Sequence, residues 1–216
     1  MPRTPRIFVD GLSLHVIQRG HNRSTVFWDS IDYEMFLGLL RRAVCRYDVE
    51  LHAFALMSNH FHLLLTPQTP AALPAALKEL NAAYTRHHNR RHGRIGTVWC
   101  GRYRGILIDD EKYWLTCLRY IEQNPVRAGL VVSADQYQWS SYLAHAFGHW
   151  PEWLTPHAIY KSLGKTMSER QAAYLDLSGQ PLSEACVLLL REGVRPGSDP
   201  DRIPIGPESE PSLTPV

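Results

Sequence analysis

Ala55-Leu56-Met57-Ser58-Asn59-His60-Phe61-His62-Leu63-Leu64-Leu65 decides how the rest of the chain is read. Two apolar runs flank Ser58-Asn59, the signature of two strands joined by a tight turn. Along a strand, residues i and i+2 project to the same face. His60 and His62 therefore share one side, while Phe61 and Leu63 take the other. Two neutral imidazoles one strand repeat apart can hold a divalent cation. The same spacing also serves structural zinc sites, hydrolases and ordinary half-buried histidines. The pair alone leaves these open.

Outward from this hairpin, residues 14–19 predict a first strand ending at Gly20. Asp29 or Ser30 can cap a helix running to about residue 47, with Phe36, Leu37, Leu40 and Val44 on its apolar face. The hairpin strands are expected over 51–57 and 60–66. Thr69-Pro70 opens an Ala/Leu-rich helix that ends near Arg91, with Gly93 as its stop. A fourth strand falls within 98–108. The order β-α-β-β-α-β predicts an α+β fold, a ferredoxin-like or RRM-like split βαβ sandwich. In that topology the strand at 51–57 lies at an edge, and the histidine strand pairs centrally with the N-terminal one.

Residues 110–125 read as a further helix, capped by Asp109 or Asp110 and stopped by Pro125. At about 100° per residue, Trp114, Leu115, Leu118 and Ile121 gather into an apolar stripe. Tyr113, Cys117, Tyr120 and Asn124 fall on a separate one, a position that argues against Tyr120 as an ordinary core aromatic. Tyr120 and Asn124, four apart, are neighbours one turn along. Such a helix, crossing the sheet after the last strand, can bring Tyr120 over His60 and His62.

With these pieces in hand, the chain resembles a known family. His60-Phe61-His62, followed by Tyr120-Ile121-Glu122-Gln123-Asn124-Pro125-Val126-Arg127-Ala128-Gly129-Leu130-Val131, looks like the REP-associated tyrosine transposases. These are small single-tyrosine members of the HUH nuclease superfamily, related to the transposases of the simplest insertion sequences. Gln18-Arg19-Gly20-His21-Asn22-Arg23, Trp99-Cys100-Gly101-Arg102-Tyr103-Arg104 and Gln138-Trp139-Ser140-Ser141-Tyr142 match in the same order, so the resemblance covers roughly residues 10–147.

The resemblance implies single-stranded DNA with hairpin structure as partner, and cleavage and rejoining through a 5′-phosphotyrosine on Tyr120, with no nucleotide cofactor. It implies a divalent metal, Mg²⁺ or Mn²⁺, on His60 and His62 with Asn124 as third ligand; Gln123 next door points about 100° away on an ideal helix. Phosphate and base contacts are expected from Arg19, Asn22 and Arg23 beside the first strand, and from Arg102 and Arg104, which would alternate with Tyr103 across the fourth strand and share one of its faces. Arg86, Arg90 and Arg91 belong to a run of six arginines between 86 and 104 without an acidic residue. Monomer and homodimer both remain open. Three other readings stay beside this one: a replication-initiator or conjugative nickase, a non-catalytic RRM-like nucleic-acid-binding regulator, and a histidine-based phosphodiesterase.

Composition bounds these readings. The 216 residues are 44% hydrophobic and 20% charged, as in an ordinary globular protein. No apolar run is long enough to span a bilayer, and the first residues lack the apolar core of a secretory signal; a cytoplasmic protein without a membrane partner is expected. Cys45, Cys100, Cys117 and Cys186 are scattered and expected to be free thiols. The net charge of +2 is uninformative, but residues 1–150 carry +5 and residues 151–216 carry −3. The expected organisation is a transposase domain over 1–148, a small helical extension over 149–194 and a disordered proline-rich tail over 195–216.

Overall fold

Alternation along the strands gives the sheet two unlike faces. The computed structural model describes Val9 and residues 11–192. Strands β1 (Ser13–Arg19), β2 (Val49–Met57), β3 (His60–Pro67) and β4 (Arg104–Ile108) form one antiparallel sheet in the order β2-β3-β1-β4. β2 is thus an edge and β3 lies centrally against β1, as the split βαβ order predicts. On one face, Leu14, Val16, Leu51, Phe61, Leu63 and Leu65 pack with Phe36, Leu40, Leu77 and Tyr84. Those partners belong to α1 (Ser30–Arg46) and α2 (Ala72–His92).

Local chemistry fixes the helix ends. The Asp29 carboxylate accepts from the Ile31 and Asp32 amides at the start of α1. Gly93 closes α2 in the left-handed region at φ 60°. Asp110 caps α3 (Glu111–Glu122) by accepting from the Tyr113 amide at 2.8 Å. α3 lies across the second face of the sheet, which presents Ser13, His15, Ile17, His62 and Thr66.

Three local expectations need correction. α3 ends at Glu122, and Asn124 opens a separate one-turn helix, α4 (Asn124–Arg127), with Pro125 in its first turn. Proline has no N–H to give and its ring crowds the carbonyl four residues back, so the chain breaks at Gln123 before reaching it. Second, the stripe of Tyr113, Cys117 and Tyr120 is as buried as that of Trp114, Leu118 and Ile121. Helices from the far end of the chain cover what an isolated helix would expose: α5 (Tyr142–Phe147), α6 (Ala158–Lys161), α7 (Met167–Gly179) and α8 (Glu184–Glu192) contribute Tyr142, Tyr160, Tyr174 and Leu190 to one cluster with α3. Third, β4 begins only at Arg104, leaving Arg102 in the preceding turn.

The outer edge of β2 is also covered. The Leu56 amide donates to the Trp139 carbonyl, the Ser141 amide to Phe54, and the Thr155 amide to Leu51. This cover removes an unpaired edge that would otherwise recruit another strand. All four cysteines are free thiols. Among the described residues no helix is long and apolar enough to cross a membrane. The tail expected over 195–216 lies outside the described residues.

Candidate active site

The antiparallel register sets the site out in rows. His62 lies opposite Ile17 on β1 and Ala55 on β2; His60 lies opposite Arg19 and Met57. The two imidazole centroids are 5.0 Å apart at 76°, on the face that α3 covers. There α3 sets the ring of Tyr120 5.7 Å from that of His62, nearly perpendicular to it. Tyr120 is 4% exposed, with its ring bordering a cleft of about 330 Å³. His60, His62, Asn124, Arg19, Arg127 and Arg191 share that cleft's lining.

Each imidazole has a partner on Nδ1. His60 Nδ1 lies 2.6 Å from the Asn59 side-chain oxygen, and that carboxamide also donates to the Arg23 carbonyl. His62 Nδ1 lies 2.9 Å from Nε2 of His15, a fully buried histidine whose own Nδ1 has no partner. Burial lowers the His60 pKa to about 4, helped by Arg19. Burial also drives His62 well below its ordinary value, with His15 and His60 adding to the shift. Both rings are therefore neutral near pH 7, the state in which a ring nitrogen can ligate.

Around the phenol the field is mixed. Burial raises the Tyr120 pKa, while hydrogen bonding from Asn124 and the charge of Arg127 oppose it. The Arg127 guanidinium sits 4.9 Å from the Tyr120 ring centroid. Asn124 Nδ2 donates to the Tyr120 carbonyl at 3.1 Å, so the two stay adjacent despite the break in the helix. Gln123 is turned away, donating instead to the Ser178 carbonyl.

A phenol, two neutral imidazoles, a carboxamide and three guanidiniums meeting in one cleft form a set suited to phosphoryl chemistry. The family model described as Transposase IS200 like matches residues 8–124, more than half of the chain and inclusive of His60, His62, Tyr120 and Asn124. The chain belongs to the IS200-like transposase family. A Haemophilus influenzae protein provisionally named a REP-associated tyrosine transposase is 28% identical over 106 residues, 44% of this chain. The matched stretch spans 60% of that relative's length. A solved structure of a REP-associated tyrosine transposase bound to a REP hairpin superposes with a TM-score of 0.58 at 18% identity. The match covers 73% of this chain and 93% of that one. At that identity the likeness establishes a common fold.

Within this IS200-like transposase the other predicted residues divide. Arg19 lines the cleft. Asn22 and Arg23 sit in an exposed turn at the same end of the sheet, tied to the β2–β3 turn through Asn59. Arg104 stands opposite Ile17 on β4 and so belongs to the row of His62; Arg102 precedes the strand and is exposed. Arg86 and Arg90 are exposed on α2, which packs against the opposite face of the sheet. Arg91 is engaged elsewhere: it pairs with Asp29 at 2.6 Å and with the buried Asp32 at 2.8 Å, locking α2 to the start of α1.

Sequence reading missed His15, Asn59, Arg127 and Arg191. His15 had a signal, since it shares strand parity with Ile17 and faces α3. Arg127 stands inside the matching run but carries no pattern of its own. Nothing local marks Arg191, because only tertiary packing of α8 delivers it.

Proposed function

We propose that this transposase cleaves and rejoins single-stranded DNA through a covalent 5′-phosphotyrosine on Tyr120, at hairpins of the kind named for its REP-associated relatives. The reading rests above all on one observation: the Tyr120 ring lies 5.7 Å from His62, inside a cleft walled by arginines and, among the described residues, lined by no acidic one.

The residues also fit a divalent cation, Mg²⁺ or Mn²⁺. Among the described residues no three His, Cys, Asp or Glu side chains gather as a metal site, so His60 and His62 would be joined by oxygen donors, with the Asn124 carboxamide as the protein's own. Asn59 and His15 occupy the two Nδ1 positions, which leaves Nε2 of each ring for ligation. A cation held there would supply positive charge to offset the phosphate as the phenol attacks.

The protein's part is to position and activate the phenol. Tyr120 Oη forms its bond to phosphorus as the P–O3′ bond breaks, giving a 5′-phosphotyrosine and a 3′-hydroxyl. The phenolic proton departs to solvent or to the leaving 3′ oxygen. No nucleotide cofactor is consumed, because the new ester conserves the phosphodiester for rejoining. Arg127 over the ring favours the phenolate that burial opposes.

The test is a denaturation-resistant protein–DNA adduct formed with single-stranded hairpin DNA and Mn²⁺ or Mg²⁺. Tyr120→Phe is expected to abolish the adduct while DNA binding persists, and His60→Ala to abolish cleavage. Cleavage that survives Tyr120→Phe would instead identify a histidine-based phosphodiesterase. Binding without cleavage in either metal would identify a regulatory nucleic-acid-binding module.

A further inference from the structure

The C-terminal helix α8 reaches the candidate active site. Leu190, fully buried, anchors α8 in the cluster beneath α3; the next residue, Arg191, turns into the cleft that holds Tyr120. Arg19 from β1 and Arg127 from α4 line the same space. None of the three makes an ion pair with a carboxylate among the described residues. Burial lowers the Arg127 pKa, and Arg191 lowers it further, as expected of cations crowded without an anion.

A second space adjoins the first. A groove of about 720 Å³ lies between α4 and α8, lined by Pro181, Leu182, Val187 and Leu188 together with Gln123 and Glu184, and it shares Arg127 and Arg191 with the cleft. Two cations common to both spaces, with aliphatic surface alongside, complement one nucleotide, with its phosphate on the arginines and its unstacked base against the leucines. A cation in the last turn of a helix also suits the helix dipole. That role alone does not require it to line the cleft beside Arg127.

Resting on the nuclease reading above, we propose that α4 and α8 form a subsite for the nucleotide flanking the scissile phosphate. Arg127 and Arg191 hold its phosphate, and the groove around Leu182 and Leu188 takes its base. The C-terminal helices are then part of the substrate site as well as support for α3.

The experiment uses the full chain and a fluorescein-labelled single-stranded oligonucleotide, titrated in EDTA over a salt series, so that no cleavage occurs. Arg191→Gln is expected to weaken binding about tenfold, the scale of one charge-assisted hydrogen bond. The slope of log K against log salt should shrink by about 0.7, one phosphate contact on a single strand. Arg191→Lys should retain the slope. Leu188→Glu, at a half-exposed position, should also weaken binding, and an abasic residue beside the cleavage position should cost this variant less than it costs the wild type. Wild-type affinity and slope in Arg191→Gln would overturn the subsite, even where the Tyr120 adduct forms. A missing adduct with the slope change intact would overturn the nuclease reading alone.

Discussion

Glu122 follows the candidate nucleophile by two residues and is fully buried; its replacement tests how Tyr120 is held. One carboxylate oxygen accepts from His145 Nδ1 at 2.8 Å and from the Ser141 hydroxyl, and the other accepts from the Tyr174 hydroxyl. Three donors from α5, its N-terminal cap and α7 thus converge on the last turn of α3. Glu122→Gln keeps the volume but offers one acceptor oxygen in place of two and brings an N–H₂ toward a donor. At least one hydrogen bond to a charged acceptor is lost, worth about 1.5–3 kcal/mol, and a second buried donor faces another. The sum is about 3 kcal/mol. For a chain of this size that lowers the melting temperature by about 6–12 °C. Scanning calorimetry of both proteins at pH 7.5 measures it. Tyr174→Phe removes one donor while leaving the carboxylate two others, so a smaller loss is expected, and a double-mutant cycle between the two positions should show coupling of about 1 kcal/mol or more. A Glu122→Gln protein melting within 2 °C of wild type would refute the claim that this carboxylate clamps α3.

His15→Leu removes the partner of His62 Nδ1 without touching a proposed ligand; Mn²⁺ affinity by calorimetric titration should fall about 10–100-fold, and unchanged affinity would assign His15 to packing alone. Acid should destabilise the fold from slightly acidic pH downward. Burial holds His15 and His52 neutral to about pH 3 and His62 well below its ordinary value of 6.5. The unfolded chain binds protons on these rings below about pH 6.5 while the folded chain does not. Each therefore withdraws about 1.4 kcal/mol per pH unit below that point, and the stability they contribute is complete above it. Equal urea midpoints at pH 7.5 and pH 5 would contradict this. Arg91→Gln should lower the melting temperature by releasing Asp29 and Asp32, whereas Arg90→Gln should leave it unchanged; the reverse result would return Arg91 to the surface.

The order and type of the main elements were legible because each rests on local chemistry: parity in the hairpin strands, caps at Asp29 and Asp110, and Gly93 after α2. What was not legible depended on partners distant in sequence. The arginine run from 86 to 104 contains no acidic residue, yet Arg91 is neutralised by carboxylates about 60 residues earlier. The polar-looking side of α3 is buried because Tyr160, Tyr174 and Leu190 reach it from the C-terminal helices. The Gln138-Trp139-Ser140-Ser141-Tyr142 motif carries no chemistry that its composition announces. In the fold it covers the edge of β2 and delivers Ser141 to Glu122.

At the site, the histidine pair and Tyr120 could be placed together from parity and helix order, but the state of the imidazoles could not. That depends on a proton shared between His62 and His15. If His62 donates from Nδ1, its Nε2 lone pair faces the cleft, and the His15 proton must sit on Nδ1, buried without an acceptor. An unmet buried donor costs about 1–3 kcal/mol. If His15 donates instead, its buried Nδ1 becomes an unmet acceptor in place of an unmet donor, and His62 presents an N–H to the cleft in place of a lone pair. His15 Nδ1 goes unpartnered in both arrangements, so these surroundings do not select the ligating tautomer of His62, and a bound cation would have to draw that tautomer from the pair. His60 carries no such ambiguity, because the Asn59 oxygen can only accept and fixes its Nδ1 as the donor. The two ligands of one proposed site thus differ in readiness, and replacing His15 should change the contribution of His62 while leaving that of His60 intact.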